Sequence, residues 1–548
     1  MATEVEQNKI NILPVKSGQD ITTILQAALT AGGDVNLPAG TFTISWSTAN
    51  FGVRMSANGT RMRGAGRGRT ILSLSPASSP TSGTTAGVLV GNYGGGVSNC
   101  EISDLTIQSA ANVTTGKVVY NLLVQESTNF VLRNVEVIGP DSLGSTAYTT
   151  HSPETHIRGS QGPTHAIGIV QSDYVVVDNC DGRDTVGQEY ATFGSYGLEL
   201  DSCKHARIVN CRFTNNYFDG IKTNNNIPGR ADDIVIERCY LADNGQVVAN
   251  AVTNAGGTVR GNGNGIDIGC SNVTLIGCLA ELNYGAGIQV KAIDIHSINV
   301  TNCTSRLNRT SASDKQAGFS VYIDNGLYLS QSSGQSIPPS NVIFSGCHAI
   351  ENDGIGFDLT TAVDCVVTGC ISRSNGSHGV RLGQDCARAI LADSRLMGNG
   401  RLDSGGTAYG VHLNGAGNTV SGCWISGIDS LREGDDYQTE YRANDPWTDR
   451  GIQVNSTTGG EIHFAYNNII EELTTTLYIN VSQGSLVRYN NFLSDGTPLP
   501  SNPPIGLTDG ITAPTAVSGM AQIYVDGSDG DLKVRFGDNT TKVISADT

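Results

Sequence analysis

Four short stretches bring ionisable side chains to one repeating position: Gly197-Leu-Glu-Leu-Asp201, Gly220-Ile-Lys-Thr-Asn224, Gly265-Ile-Asp-Ile-Gly269 and Gly287-Ile-Gln-Val-Lys291. In each, a glycine precedes alternating apolar and polar residues, the pattern of a strand with one buried face. Neighbouring side chains of a strand face opposite sides. With Leu198 and Leu200 inward, Glu199 and Asp201 point out, and the same logic turns out Lys222, Asn224, Asp267, Gln289 and Lys291. If these strands stack, Glu199, Lys222, Asp267 and Gln289 form one column. Glu199 and Asp267 then stand two strand spacings, roughly 9.6 Å, apart between backbones. Side-chain tilt brings them inside the ~6.5–9.5 Å at which one carboxyl protonates a glycosidic oxygen while the other activates water.

Lys222 lies between the two and is expected to lower both carboxyl pKa values, which helps a base and hinders an acid. Two other readings of the column stay open. A Lys222 base flanked by Glu199 and Asp267 suits a lyase, and a Glu–Lys–Asp charge ladder on an exposed sheet face needs no chemistry at all. Asp219 is a further carboxylate at a strand entry, where an Asp is also an ordinary turn residue. Aromatics gather nearby in sequence (Tyr190, Phe193, Tyr196, Tyr217, Phe218), so the expected substrate-binding set is Tyr190, Tyr196, Tyr217, Asn224, Gln289 and Lys291, with Trp447 from a later loop. His151, His156 and His165 share one insertion at a spacing that fits no metal template, and read as solvated loop histidines. Arg381 and His412 fall in the same column, too many coils on to join Glu199. No metal site and no cofactor is expected.

A column of this kind needs a scaffold that repeats. Each glycine strand is followed by a second strand ending in cysteine: Ile-Val-Asn-Cys211, Ile-Glu-Arg-Cys239, Leu-Ile-Gly-Cys278 and Val-Thr-Asn-Cys303. The pairs recur as Gly354-Ile-Gly-Phe, Gly379-Val-Arg-Leu, Gly410-Val-His-Leu and Gly451-Ile-Gln-Val, making about a dozen coils of a solenoid with a shortest period of about 23 residues. A chain of 548 residues is too long for one compact core, but a solenoid escapes that limit because each unit packs only on its neighbours. Glycine is 68 of 548, about 12%, against an ordinary level of roughly 7%. Most of the 13 cysteines recur at one position of the repeat, one per coil, so they are expected as a buried, reduced ladder with parallel Cα–Cβ vectors that suit bridging poorly. Asn beside the turns is expected to adopt left-handed backbone and bond to its own main chain.

The formal net charge of −17 argues against nucleic acid, whose phosphates need clustered Lys and Arg. No apolar run approaches the roughly 18 residues of a membrane span, and the N-terminus lacks the basic and apolar regions of a secretory signal, so synthesis and folding in a cytoplasm are expected. Asp20 is expected to cap a helix ending at Gly32-Gly33. A strand follows, Val35-Asn-Leu-Pro-Ala-Gly-Thr-Phe-Thr-Ile44. The helix would close the first open coil, whose strand edges need a cover. Longer spacings place insertions at about 139–165, 243–263, 306–340 and 428–450, the last acidic and aromatic with Asp435, Asp436, Tyr437, Tyr441, Trp447 and Asp449.

The helix, the Leu-Pro-Ala-Gly-Thr-Phe opening and the coils resemble the pectate-lyase-like right-handed parallel β-helix over roughly residues 10–495. That resemblance implies an all-β solenoid with three sheets and a carbohydrate groove along one of them. The strands Met520–Asp526, Leu532–Phe536 and Lys542–Ile544 resemble C-terminal modules of bacteriophage tail proteins. Together these features are similar to a bacteriophage tailspike. The resemblance implies a homotrimer carried in the virion, attached to a phage tail or adaptor protein, which binds a bacterial surface polysaccharide and often cleaves it. The expected organisation is an attachment segment (1–19), a capping helix with first strands (20–60), the β-helix (61–496), a Pro-rich linker (497–515) and a trimerising meander (516–548). A non-cleaving receptor-binding spike and a polysaccharide lyase or epimerase are the alternatives. No membrane insertion is expected. The short stretch before the helix departs from the large virion-anchoring domain common in that family.

Overall fold

The computed structural model describes residues 12–46, 50–76, 85–92, 94–109, 119–139, 164–185, 195–227, 230–245, 263–291, 294–308, 317–323, 337–401, 408–427, 450–455, 462–471, 473, 479–483, 485–499, 521–525, 532–536 and 540–545. Fourteen strands stack in parallel into one sheet, from Phe51–Met55 to Ile479–Gln483. A second sheet of 27 strands supplies the rest of the coil wall. It contains two parallel series, joined where the long strands Glu101–Ser109 and Val131–Ile138 each pair with two strands of a neighbouring coil. The fold is an all-β parallel helix, with one short α-helix among the described residues.

Alternation explains the core. Leu198, Ile221, Ile266, Ile288, Phe319, Phe357 and Val380 occupy equivalent inward positions on successive coils and are wholly buried. Each such side chain contributes roughly 1.5–3 kcal/mol by burial. Phe319 stacks on Phe357 with ring centroids 4.8 Å apart, and Phe344 meets both rings edge-on.

The turns use asparagine in two ways. Asn210, Asn215 and Asn302 adopt left-handed backbone, with φ of 55°, 55° and 52°. A separate inward row bonds from coil to coil rather than to its own main chain, which corrects the sequence expectation. The Nδ2 of Asn216 donates to Asn244 Oδ1 at 2.9 Å, and the chain continues through Asn283, Asn308, Asn352, Asn375 and Asn399. All thirteen cysteines are free and buried. Where thiols stack, the amides of Cys180, Cys278 and Cys347 donate to the sulfurs of Cys211, Cys303 and Cys370, each at 3.4 Å.

The helix Thr22–Ala31 buries Leu25 and Leu29 against the strands Gly40–Trp46 and Phe51–Met55. Its N-cap is Ile21, with no side-chain cap. Asp20 sits one residue earlier and accepts from the Thr22 amide at 3.0 Å. Parallel stacking begins before Arg61, since Asp34–Asn36 pairs with Arg61–Arg63 and Gly40–Trp46 with Thr70–Pro76. Ile12 bridges Asn36, so the chain lies along the first coil from the outset of the described residues. Near the C-terminus, Ala521–Val525, Leu532–Phe536 and Thr541–Ser545 form a three-stranded antiparallel sheet. The linker lies outside the described residues apart from 497–499. No helix among the described residues is long and apolar enough to cross a membrane.

Candidate functional site

The strands Leu198–Asp201, Ile221–Asn224, Ile266–Gly269 and Ile288–Lys291 are hydrogen-bonded neighbours in the fourteen-stranded sheet. Their register pairs Glu199 with Lys222, Lys222 with Asp267, and Asp267 with Gln289. The column extends in register through Ser320, Asp358, Arg381, His412 and Gln453. It is not the exposed face the ladder reading assumed. Glu199 is 9% exposed, Lys222 8%, Asp267 4% and Asp219 3%.

Burial changes the electrostatics. It pushes the Glu199 carboxyl up to about 7 against hydrogen bonds that favour its charged form, and Lys222, expected to depress this group, is only a minor influence. Glu199 Oε2 accepts the Tyr120 hydroxyl at 2.8 Å and Oε1 accepts the Asn224 amide at 3.2 Å. Burial, with the charge of Asp267 nearby, pushes Asp219 up to about 7 as well. Asp219 Oδ1 accepts both the backbone and side-chain amides of Asn264, at 2.7 and 3.0 Å. Burial opposes charge on Lys222, but Asp267 overrides it and holds the ammonium above its ordinary range. Lys222 Nζ donates to Asp267 Oδ2 at 2.5 Å, while Asp267 Oδ1 is buried without a hydrogen-bond partner among the described residues. The site therefore holds two carboxyls that keep protons near neutrality, Glu199 in the column and Asp219 beside it, and one, Asp267, that is ion-paired with a free oxygen.

His165 is not a solvated loop residue. It lies on the strand Thr164–Val170, 2% exposed, with its ring stacked on Tyr120 at 4.5 Å and its Nδ1 3.8 Å from Glu199 Oε2. Burial lowers its pKa to about 3, so the imidazole is neutral and the contact is no ion pair. Neither ring nitrogen has a partner among the described residues. Sequence reading also missed Tyr120 and Asn264. One signal was available: Tyr196, Asp219 and Asn264 each precede a strand glycine, and backbone bonds from Gly197 to Asp219 and from Gly220 to Asn264 align them as a second outward column.

Tyr196 belongs to this column, 5.1 Å from the His165 ring and 6.4 Å from Phe218, which also meets Tyr217 at 5.3 Å. Asp201 does not join the carboxyl group: Asn226 holds it through backbone and side-chain amides at 3.3 and 3.0 Å, and Ser202 Oγ donates to it at 2.9 Å. Gln289 donates to the Tyr322 hydroxyl at 2.7 Å, and Lys291 lies over the Tyr322 ring at 5.8 Å. The strand Phe319–Tyr322, read from sequence as part of an insertion, is thus a regular coil strand. Tyr190, Phe193, Trp447, His151, His156 and the acidic aromatic loop lie outside the described residues. Among the described residues no group of three or more His, Cys, Asp or Glu is arranged to hold a metal ion.

Residues 165–338 and 324–426 match the family described as right handed beta helix region. No curated protein matches the sequence. Solved structures of similar fold include the A-module of Azotobacter vinelandii mannuronan C-5 epimerase AlgE4 (14% identity over 88% of this chain and 97% of that one, TM-score 0.42). Bacteriophage CBA120 tailspike protein 3 is 11% identical over 98% of this chain and 68% of its own, TM-score 0.45. The catalytic unit of the GH87 alpha-1,3-glucanase from Streptomyces thermodiastaticus is 12% identical over 88% and 68%, TM-score 0.44. These likenesses concern fold alone. The chain is a right-handed parallel β-helix.

Proposed function

We propose that this protein is a bacteriophage tailspike that binds a bacterial surface polysaccharide (O-antigen, capsule or exopolysaccharide) and cleaves it as an inverting endo-glycosidase. Glu199 is the general acid, and it donates its proton to the leaving glycosidic oxygen. Asp267 is the base: its free Oδ1 takes a proton from the water that attacks the anomeric carbon from the opposite face. The observation that carries this reading is the unequal state of two carboxyls two coils apart on one sheet. Glu199 keeps its proton to about pH 7, whereas Asp267 is ion-paired with Lys222. Such a split is how paired carboxyls divide acid and base work. Lys222 is held protonated and is therefore a poor base, which disfavours the lyase reading.

The virion assignment rests on the tail-protein resemblance of the C-terminal strands. A sheet of three short strands is marginal alone, and association with copies of itself in a homotrimer would bury it. An adaptor or the phage tail would hold the other end.

The test is mass spectrometry of products after incubation with a panel of bacterial surface polysaccharides, comparing wild type with Glu199→Gln and Asp267→Asn. Expected are fragments heavier by one water, absent from both variants. Fragments with an unsaturated end, or full turnover by either variant, would overturn the hydrolase. Binding without fragments would leave a spike that only adheres.

A further inference from the structure

A second polar cluster lies on the same sheet face, three to six strand spacings or about 14 to 29 Å from Asp267. It is built from Asp358, Arg381, His378, Tyr409, His412 and Arg450. His378 and Tyr409 stack at 4.9 Å, His412 packs 4.9 Å from Tyr409 and 5.0 Å from His378, and the Arg450 guanidinium lies over the Tyr409 ring at 5.7 Å. Most of these side chains are only partly buried, in contrast to the Glu199 column.

The charges do not cancel. Arg381 and Asp358 form a two-pronged ion pair at 2.8 and 2.6 Å and neutralise each other. Both imidazoles are neutral, lowered by burial to about 3 for His378 and about 4 for His412. Arg450 donates to Gln453 Oε1 at 3.0 Å, but no carboxylate pairs with it among the described residues. Its Nε is buried without a partner there. His412 repeats the pattern. The Asn455 amide nitrogen stands 3.2 Å from its Nε2 and donates to it, so the ring proton sits on Nδ1, which is also buried and unpartnered. Two orphaned donors and one uncompensated positive charge thus meet at the edge of an aromatic ring, on a protein whose net charge is −17. Orphaned buried donors cost about 1–3 kcal/mol each, and an acceptor-rich anion restores what they lack.

We infer that this cluster is a remote subsite for an acidic sugar, in which Arg450, held over the buried Tyr409 ring, and His412 donate to its carboxylate. The inference rests on the glycan-binding reading above and names the chemistry of one unit of that glycan. A chain that reaches both clusters is anchored by its acidic unit while the bond near Glu199 is cut.

The test measures calorimetric binding of acidic bacterial oligosaccharides, and of the carboxyl-reduced form of each, to the full chain carrying Glu199→Gln so that nothing is turned over. Expected is at least one acidic oligosaccharide bound about tenfold more tightly than its reduced form, equivalent to about 1.4 kcal/mol. Arg450→Gln and His412→Asn should remove that preference, and Tyr409→Phe should retain it because the ring that supports Arg450 and His412 persists. Carboxyl reduction without effect, or an undiminished preference in Arg450→Gln, would overturn the subsite. The hydrolase stands or falls separately, on fragments released by the chain without these substitutions. If folding of Arg450→Gln is disturbed, its circular dichroism reveals it and His412→Asn decides alone.

Discussion

The chemistry of this protein turns on single groups whose surroundings set their charge. Glu199 illustrates the sign. The unfolded chain releases this proton near 4.5, whereas the folded chain keeps it to about 7. Between those values folding takes up a proton, so the associated stability is complete below about pH 4.5 and is lost as pH rises to about 7, by about 3 kcal/mol at most. Asp219 is raised in the same direction. The buried histidines His165, His378 and His412, lowered by burial to about 3, 3 and 4, act in the opposite direction, so Glu199 is isolated by comparing chains rather than by the net trend. In urea denaturation at pH 4.5 and 7.5, the stability difference between the two pH values should shift in Glu199→Gln, the variant gaining on wild type at the higher pH. An unchanged difference in the variant would show that Glu199 is not the group. In the proposed hydrolase the same titration gives turnover a falling limb near pH 7, as Glu199 loses its proton.

At the scale of the element, the coil depends on polar groups that bond to their counterparts above and below and to backbone carbonyls of the preceding coil. Asn308 accepts from the Asn283 amides at 3.0 and 2.9 Å and donates to Asn352 Oδ1 at 2.7 Å. Truncating it leaves buried donors and acceptors on both neighbours without partners. Asn308→Ala should cost about 1–3 kcal/mol, read as a lower urea midpoint at unchanged slope. A midpoint equal to wild type would mean the row is incidental to stability. The thiol ladder tolerates more, since sulfur is a weak acceptor and its main contribution is packing.

Across the whole molecule, a long stack of parallel coils is followed in the chain by a small antiparallel sheet. Its coils are a sum of nearest-neighbour contacts, but that sheet has too little area to hold together alone. In the trimer reading, residues 507–548 supply the association. Deleting them should turn a sedimenting trimer into monomer and lower the melting temperature. An intact trimer with unchanged melting would remove the module from assembly.

What the sequence alone determined is periodic. Alternation of period two and a glycine before each strand placed Glu199, Lys222, Asp267 and Gln289 in one column, because side-chain direction in a strand is a local property. Regular cysteines marked successive coils for the same reason. Tertiary structure decided which of those groups are buried and what they touch. The hydroxyl bonded to Glu199 comes from Tyr120, 79 residues away, and the partner of Lys222 comes from 45 residues away. Loop lengths between coils vary, so no spacing in the chain announces such neighbours. His165 shows the consequence: the chain around it reads as an insertion, and only the stacking of its strand on the next turns it into a neutral imidazole beside Glu199. Protonation follows from desolvation, and desolvation is a property of the assembled coils rather than of any one of them.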